Sequence, residues 1–204
     1  MVHEVKREIE QHDLEKRIQV FGDCMAPALH LLPQTIVSDL TESGFFTAPA
    51  STTYHGAYAG GLFDHSLNVT KTLLVLTESN GLKWLRPESP YIVGMFHDIC
   101  KQDQYRHPEA ASHYEGADRI PHYDWRKWEY DSQILLKGHG DKSVMLLSQY
   151  VQLTMEEILC IRYHMGAFVD QKEWSDYTRA IRQYETVLWT HHADMIAAHI
   201  IEKE

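Results

Sequence analysis

Fourteen of the 204 residues are histidine, with no tag-like run to account for them. Imidazole is the commonest protein ligand for metal ions and titrates near neutral pH. The enrichment points to metal or proton chemistry wherever the spacing lets these rings converge with carboxylates. Five segments offer such side chains: Gly60 to Ser66 with His65, Met95 to Lys101 with His97 and Asp98, Lys137 to Ser143 with His139, Ile161 to Gly166 with His164, and His191 to Met195 with Asp194. His97-Asp98 is the most informative pair. It ends the apolar run Tyr91 to Phe96, where an ionised carboxylate is costly unless it is paired or ligated. A buried divalent ion removes that cost, and one carboxylate can bridge two ions. A capping Asp beside a satisfied core histidine is the plainer explanation of the same dipeptide.

Helices must carry these segments. Residues 3–20 read as a charged amphipathic helix, and Leu29 to Leu40 as a second one interrupted at Pro33. A Gly/Ala/Ser/Thr-rich loop follows from Gly44 to Gly61. Leu62, Phe63, Leu67, Leu73, Leu74 and Leu76 then form a helical stripe ending near Gly81. Ser89-Pro90 opens the next helix, since proline is accepted in a first turn, and Ile92, Val93, Met95 and Phe96 are its buried side. Periodicity returns at Lys142–Gln152. Thr154 with Glu157 three residues on is a capping box that starts a helix leading to His164. The last helix is expected from about Arg179 to Ile201. Residues 102–131 are polar and aromatic, with Pro108 and Pro121; they read as an irregular lid, with Trp128 to Tyr130 in a short hairpin. The expected fold is all-α, one domain over residues 1–204.

Composition bounds the function. At 44% hydrophobic and 24% charged residues, the chain has the make-up of a folded protein rather than a disordered one. No apolar run approaches the roughly 18–20 residues of a spanning helix, and residues 1–19 have no apolar core of a secretory signal. A net charge of −10 argues against nucleic-acid binding through bulk electrostatics. Cys24, Cys100 and Cys160 are odd in number and far apart, which fits a reducing cytoplasmic compartment better than a disulfide framework.

The order His65, His97-Asp98, Asp194 resembles the H…HD…D signature of the HD-domain superfamily of metal-dependent phosphohydrolases. Flanking words agree: Gly60-Gly-Leu-Phe-Asp-His65-Ser-Leu is similar to the superfamily's "GGLxxHsl" entry, also found in its 3′-to-5′ exoribonuclease members, and His97-Asp98-Ile-Cys-Lys101 to its "HDxxK" form. The resemblance covers about residues 55–200, with the N-terminal helices (1–42) packed on that core. It implies that His65, His97, Asp98 and Asp194 hold one ion. Binuclear members add two histidines between the His-Asp pair and the last Asp, and His139 and His164 stand in that interval, His139 flanked by glycines and His164 two residues before Gly166. By resemblance, then, Asp98 bridges to a second ion held by His139 and His164. Imidazole and carboxylate ligands suit Mn, Fe, Zn, Ni or Co. Two such ions can share a hydroxide of lowered pKa, aim it at phosphorus, and neutralise charge on the phosphoryl oxygens.

Lys101, three residues after Asp98, is expected to bind phosphate or stabilise the transition state, and His55 and Arg162 are further candidates for substrate contact. His191 shares a helix face with Asp194 and is expected to support it. His107, His113 and His122 fall in the lid, where the rings of Tyr123, Trp125, Trp128 and Tyr130 could stack on a base. The Gly-Tyr-Pro motif of the cyclic-di-GMP phosphodiesterase branch is missing after His164, where Met165-Gly-Ala-Phe168 stands. The expected activity is hydrolysis of a phosphomonoester or phosphodiester bond in a small nucleotide-like substrate. The alternatives are an exonuclease on short single strands, a mixed-valent di-iron oxygenase and a catalytically silent nucleotide-binding regulator.

Overall fold

A computed structural model describes residues 2–106 and 128–203, with side chains from Asp13 onward. Its order is helix α1 (Val2–Met25), a 3-10 turn at Leu29–Leu31, α2 (Ile36–Glu42), α3 (Gly61–Asn80), α4 (Ser89–Phe96) and a 3-10 turn at Ile99–Asp103. Strands β1 (Tyr105–Arg106) and β2 (Glu129–Tyr130) follow, then α5 (Gly140–Leu147), α6 (Met155–Arg162), α7 (Trp174–Gln183), α8 (Thr186–Ile196) and a π-helical turn at Ala197–Ile201. The fold is all-α, with one two-stranded antiparallel pairing that joins Tyr105 to Tyr130 and Arg106 to Glu129. No helix among the described residues is long and apolar enough to cross a membrane.

Local chemistry sets the boundaries. Pro33 falls between the Leu29–Leu31 turn and α2, and Pro90 sits in the first turn of α4. Gly81 ends α3 in the left-handed conformation, which glycine adopts without the penalty of a Cβ. At α6, the Thr154 hydroxyl accepts from the Glu157 amide and the Glu157 carboxylate accepts from the Thr154 amide, a complete capping box. The helix expected over 179–201 is instead three pieces. The chain turns extended at Tyr184, whose ring packs against the core, so α7 ends there and α8 starts afresh. Of the hairpin expected at Trp128 to Tyr130, Glu129 and Tyr130 form a strand that pairs with β1. Of the segment 102–131 expected as a lid, residues 107–127, with His107, His113, His122, Tyr123 and Trp125, lie outside the described residues.

α3 packs on α4 and α8, and α6 touches α4, α5 and α8. An aromatic nucleus of Phe21, Phe45, Phe46, Phe63 and Phe96, with neighbouring centroids 5.4–6.3 Å apart, locks α1 and the 45–46 corner to α3 and α4. The five rings are almost fully buried, and burial of that kind stabilises by about 1.5–3 kcal/mol per side chain. Gly94 permits the closest approach in this layer, because a Cβ there would lie 2.6 Å from the Thr70 Cα on α3. With α3 and α4 drawn together in this way, His65 and His97 face one another, ring centroids 5.3 Å apart.

Candidate metal centre

His65 lies one turn into α3 on its buried side, and His97 caps the C-terminus of α4. Asp98 follows at the entrance to the Ile99–Asp103 turn. His139 precedes α5, His164 lies just beyond α6, and Asp194 is on the buried face of α8. Six residues separated by up to 129 positions in sequence thus meet between α3, α4, α5, α6 and α8. One contact makes this possible on the α5 side: a Cβ on Gly140 would lie 2.2 Å from the Arg162 carbonyl oxygen. Only glycine lets α5 press so closely on α6, and that approach puts His139 and His164 together, with their Nε2 atoms 3.0 Å apart.

Each ring is held through Nδ1. His97 donates Nδ1–H to the Gly94 carbonyl at 2.8 Å, and His164 donates to the Ile161 carbonyl at 2.7 Å. Both acceptors are carbonyls left free near a helix C-terminus. His139 Nδ1 lies 3.5 Å from the Cys100 sulfur, and His65 Nδ1 lies 3.1 Å from both oxygens of Glu202. Anchoring Nδ1 fixes the ring and leaves Nε2 as the inward atom, the arrangement that prepares histidine to ligate a metal.

The inward atoms converge on Asp98. Its Oδ1 lies 3.1 Å from His139 Nε2 and 3.3 Å from His164 Nε2. Its Oδ2 lies 3.6 Å from His97 Nε2 and 3.8 Å from His65 Nε2. Asp194 Oδ1 approaches His65 Nε2 at 3.2 Å and His97 Nε2 at 3.9 Å. Despite these distances, His65 Nε2, His97 Nε2 and Asp98 Oδ1 have no aligned hydrogen bond among the described residues. Buried polar atoms ordinarily find a partner. Here imidazole nitrogens and carboxylate oxygens point at one another, a donor set that could hold a metal ion. Four overlapping groups among the described residues, His55/His65/Glu202, His65/His97/Asp98, His97/His164/Asp194 and Asp98/Cys100/His139, could each hold a metal ion, the ligand atoms within each lying within 4.8 Å of one another.

Electrostatics follow from burial and crowding. Burial alone would raise the Asp98 carboxyl, but Lys101, with His97 and His139, holds it well below the usual carboxylate range. Asp194 is lowered against the same burial penalty, chiefly by His65. Burial disfavours a charged His65, yet Asp194 and Glu202 raise its pKa to about 9. Burial pushes His97 down to about 4 and also lowers His139, whereas Asp98 raises His164 against burial. The Cys100 thiol is pushed up to about 12, first by burial and then by Asp98, so it is a neutral neighbour of His139.

Lys101 is buried, with Nζ 2.6 Å from Asp98 Oδ2, and the carboxylate raises its pKa despite burial. The His55 ring lies 4.9 Å from that of His65. With Tyr54, Ala198, His199, Glu202 and Lys203 it lines a cavity of about 420 Å³. Arg162 is placed differently: its guanidinium pairs with Asp141 at 2.9 Å and Glu173 at 3.5 Å, against the Tyr163 ring. His191 donates Nδ1–H to the His164 carbonyl at 2.7 Å and so steadies the backbone of a candidate ligand rather than Asp194. Sequence reasoning missed Glu202, Asn68 and Cys100. Cys100 stood inside the "HDxxK" word and could have been noticed; Glu202 lay just beyond the expected last helix and carried no local signal.

Comparison of the chain with protein-family models, with curated proteins and with solved structures returns no match.

Proposed function

We propose that this chain is a metal-dependent phosphohydrolase of the HD type, acting on a phosphate ester of a small nucleotide-like substrate. The observation that carries the reading is the division of labour at Asp98, whose Oδ1 faces His139 and His164 while its Oδ2 faces His97 and His65. A carboxylate set between two pairs of imidazoles is what a two-ion site requires. His65, His97, Asp98 and Asp194 would hold one ion, and Asp98, His139 and His164 the other. When bound, two divalent transition-metal ions would supply an acidified water and neutralise charge on the phosphoryl oxygens.

The chain's own residues complete the arrangement. Lys101 keeps Asp98 ionised, and two of its three N–H donors remain to meet a phosphoryl oxygen. His65, His97, Asp98 and His164 are almost wholly buried, which strengthens every charge interaction among them. His55 and Glu202, both beside His65, line the 420 Å³ cavity, whose size is within the ~300–1,000 Å³ range of small-molecule sites. That size and the net charge of −10 favour a small phosphorylated substrate over a long nucleic acid.

The test is metal content per chain together with hydrolysis of bis(4-nitrophenyl) phosphate and a nucleotide panel, with added Mn²⁺ and with chelator. Wild type should carry two ions and the His139→Ala/His164→Ala double variant one. Asp98→Ala should lose ions and at least ~10³-fold in activity, the scale felt when a transition-state-stabilising group is removed, with far-UV circular dichroism retained. Full hydrolysis by Asp98→Ala, or in excess chelator, would sink the reading.

A further inference from the structure

Asp194 and Glu202 reach the same ring from opposite sides. Asp194 Oδ1 lies 3.2 Å from His65 Nε2, and both Glu202 oxygens lie 3.1 Å from His65 Nδ1. Eight residues apart on a regular α-helix, they would be about 80° around and about 12 Å along the axis, more than two turns from one another. The chain avoids that placement by leaving the α-helix. At Ala197 α8 passes into the π-helical turn Ala197–Ile201, and the Glu202 amide then donates to the Ala197 carbonyl at 3.0 Å. Such π segments often occur at functional sites, and this one packs against α3.

Glu202 is itself held. Asn68, less than one turn after His65 on α3, donates Nδ2–H to Glu202 Oε1 at 3.0 Å. Asn68, Glu202 and His65 therefore form a chain in which the amide orients the carboxylate and the carboxylate orients the ring. His97 and His164 obtain the same service from carbonyls three residues earlier. His65 sits in the first part of α3, where the carbonyl before it is committed to the helix, so its Nδ1 partner must come from elsewhere.

We infer that Glu202 is a positioning residue of the metal centre: through a carboxylate–imidazole pair it keeps the proton on His65 Nδ1 and aims Nε2 at the ion, with Asn68 fixing the carboxylate. The inference rests on the metal-site reading above. It adds that the 197–202 segment closes the site, and that an anionic acceptor makes His65 a stronger donor than the carbonyl-bound His97 and His164. Carboxylate partners of metal-bound histidines act this way, and their loss typically costs about 10–100-fold in metal affinity.

Two measurements on the folded full-length chain test this. Affinity for Zn²⁺ alone, by competition with a chromophoric chelator, should weaken about tenfold or more in Glu202→Ala. Glu202→Gln restores an acceptor without the charge, and its affinity should fall between those of Glu202→Ala and wild type. In the metal-free proteins, the His65 Nδ1 proton should give a slowly exchanging, downfield ring resonance in wild type and Glu202→Gln, and lose that protection in Glu202→Ala. A merely structural role would move neither the ordering nor the ring proton. Unchanged affinity and an unchanged ring proton in Glu202→Ala would overturn the inference. If wild type binds no Zn²⁺, the metal reading fails, and the ring proton still decides whether Glu202 orients His65.

Discussion

α6 stands between two buried polar clusters, each built around carboxylates, that differ in how far their polar atoms are satisfied. At its start, Glu156 and Glu157 are almost wholly buried, and each oxygen has a donor. Glu156 accepts from the Leu85 amide and the Thr186 hydroxyl, both at 2.6 Å. Glu157 accepts from Arg86 in a two-pronged pair at 2.8 Å, from the Ser89 hydroxyl at 2.9 Å and from the Thr154 amide at 2.8 Å. Beyond its other end, His164 joins a cluster in which His65 Nε2, His97 Nε2 and Asp98 Oδ1 have no aligned hydrogen bond among the described residues. The first cluster is complete with protein atoms alone and reads as structure. The second leaves buried imidazole nitrogens and a carboxylate oxygen without aligned partners among the described residues, and reads as a place that could hold a cation. Burial of a carboxylate thus says little about function until its partners are counted.

The sharpest way to break this comparison is to damage the complete cluster. Glu157→Ala removes an acceptor that serves Arg86, Ser89 and the start of α6, leaving a buried hydroxyl and a largely buried guanidinium without it. Breaking a buried pair by deleting one partner costs about 3–5 kcal/mol, and urea unfolding should show a loss of that size. Ion content per chain should stay as in wild type. A fall in ion content like that of Asp98→Ala would mean that the two clusters are not separate.

The opposite manipulation completes the incomplete cluster. Adding ion at a hundredfold excess over its dissociation constant should stabilise the chain by about 2.7 kcal/mol through linkage to the folded state, seen as a rise in melting temperature that chelator reverses. The same rise is expected in Glu157→Ala, from a lower starting point. It should vanish in Asp98→Ala. An increase shared by all three proteins would place the ion elsewhere.

Much of the molecule was readable from local signals. Proline at 33 and 90, Gly81 and the Thr154–Glu157 box mark helix ends through backbone chemistry, and α2, α3, α4 and α6 begin or end there. His65, His97, Asp98, His139, His164 and Asp194 could be picked out because metal-ligating types sit in short words, and the structure brings all six together. Other features depend on distance in sequence. Nothing around Arg86 shows that it pairs with Glu157, 71 residues away. Nothing around Glu202 shows a partner at His65, 137 residues away. Arg162 looked useful because it is near His164 in sequence, but two residues along a helix end point it outward to Asp141 and Glu173. The break at Tyr184 was hidden because α7 and α8 are each helix-forming, and tertiary packing of the tyrosine, rather than a glycine or proline, separates them.

The smallest expected effect tests whether the halves of the metal cluster can be separated. A Cβ on Gly140 would meet the Arg162 carbonyl oxygen at 2.2 Å and its carbonyl carbon at 2.8 Å. These are backbone atoms of α6 and cannot swing aside, so Gly140→Ala must push α5 away from α6. Overpacking of this kind costs about 1–3 kcal/mol, and His139, immediately before Gly140, moves with α5. Its 3.0 Å approach to His164 and its 3.1 Å approach to Asp98 should open, while His65, His97 and Asp194, carried by α3, α4 and α8, keep their places. Ion content should therefore drop from two toward one, with the remaining ion bound about as tightly as before. Gly22→Ala is the control, because nothing lies within 4 Å of a Cβ there, and in a helix interior alanine should stabilise by up to ~1 kcal/mol. If Gly140→Ala is destabilised but keeps two ions, α5 has yielded somewhere other than at His139, and the close α5–α6 contact is packing rather than the hinge of the second site.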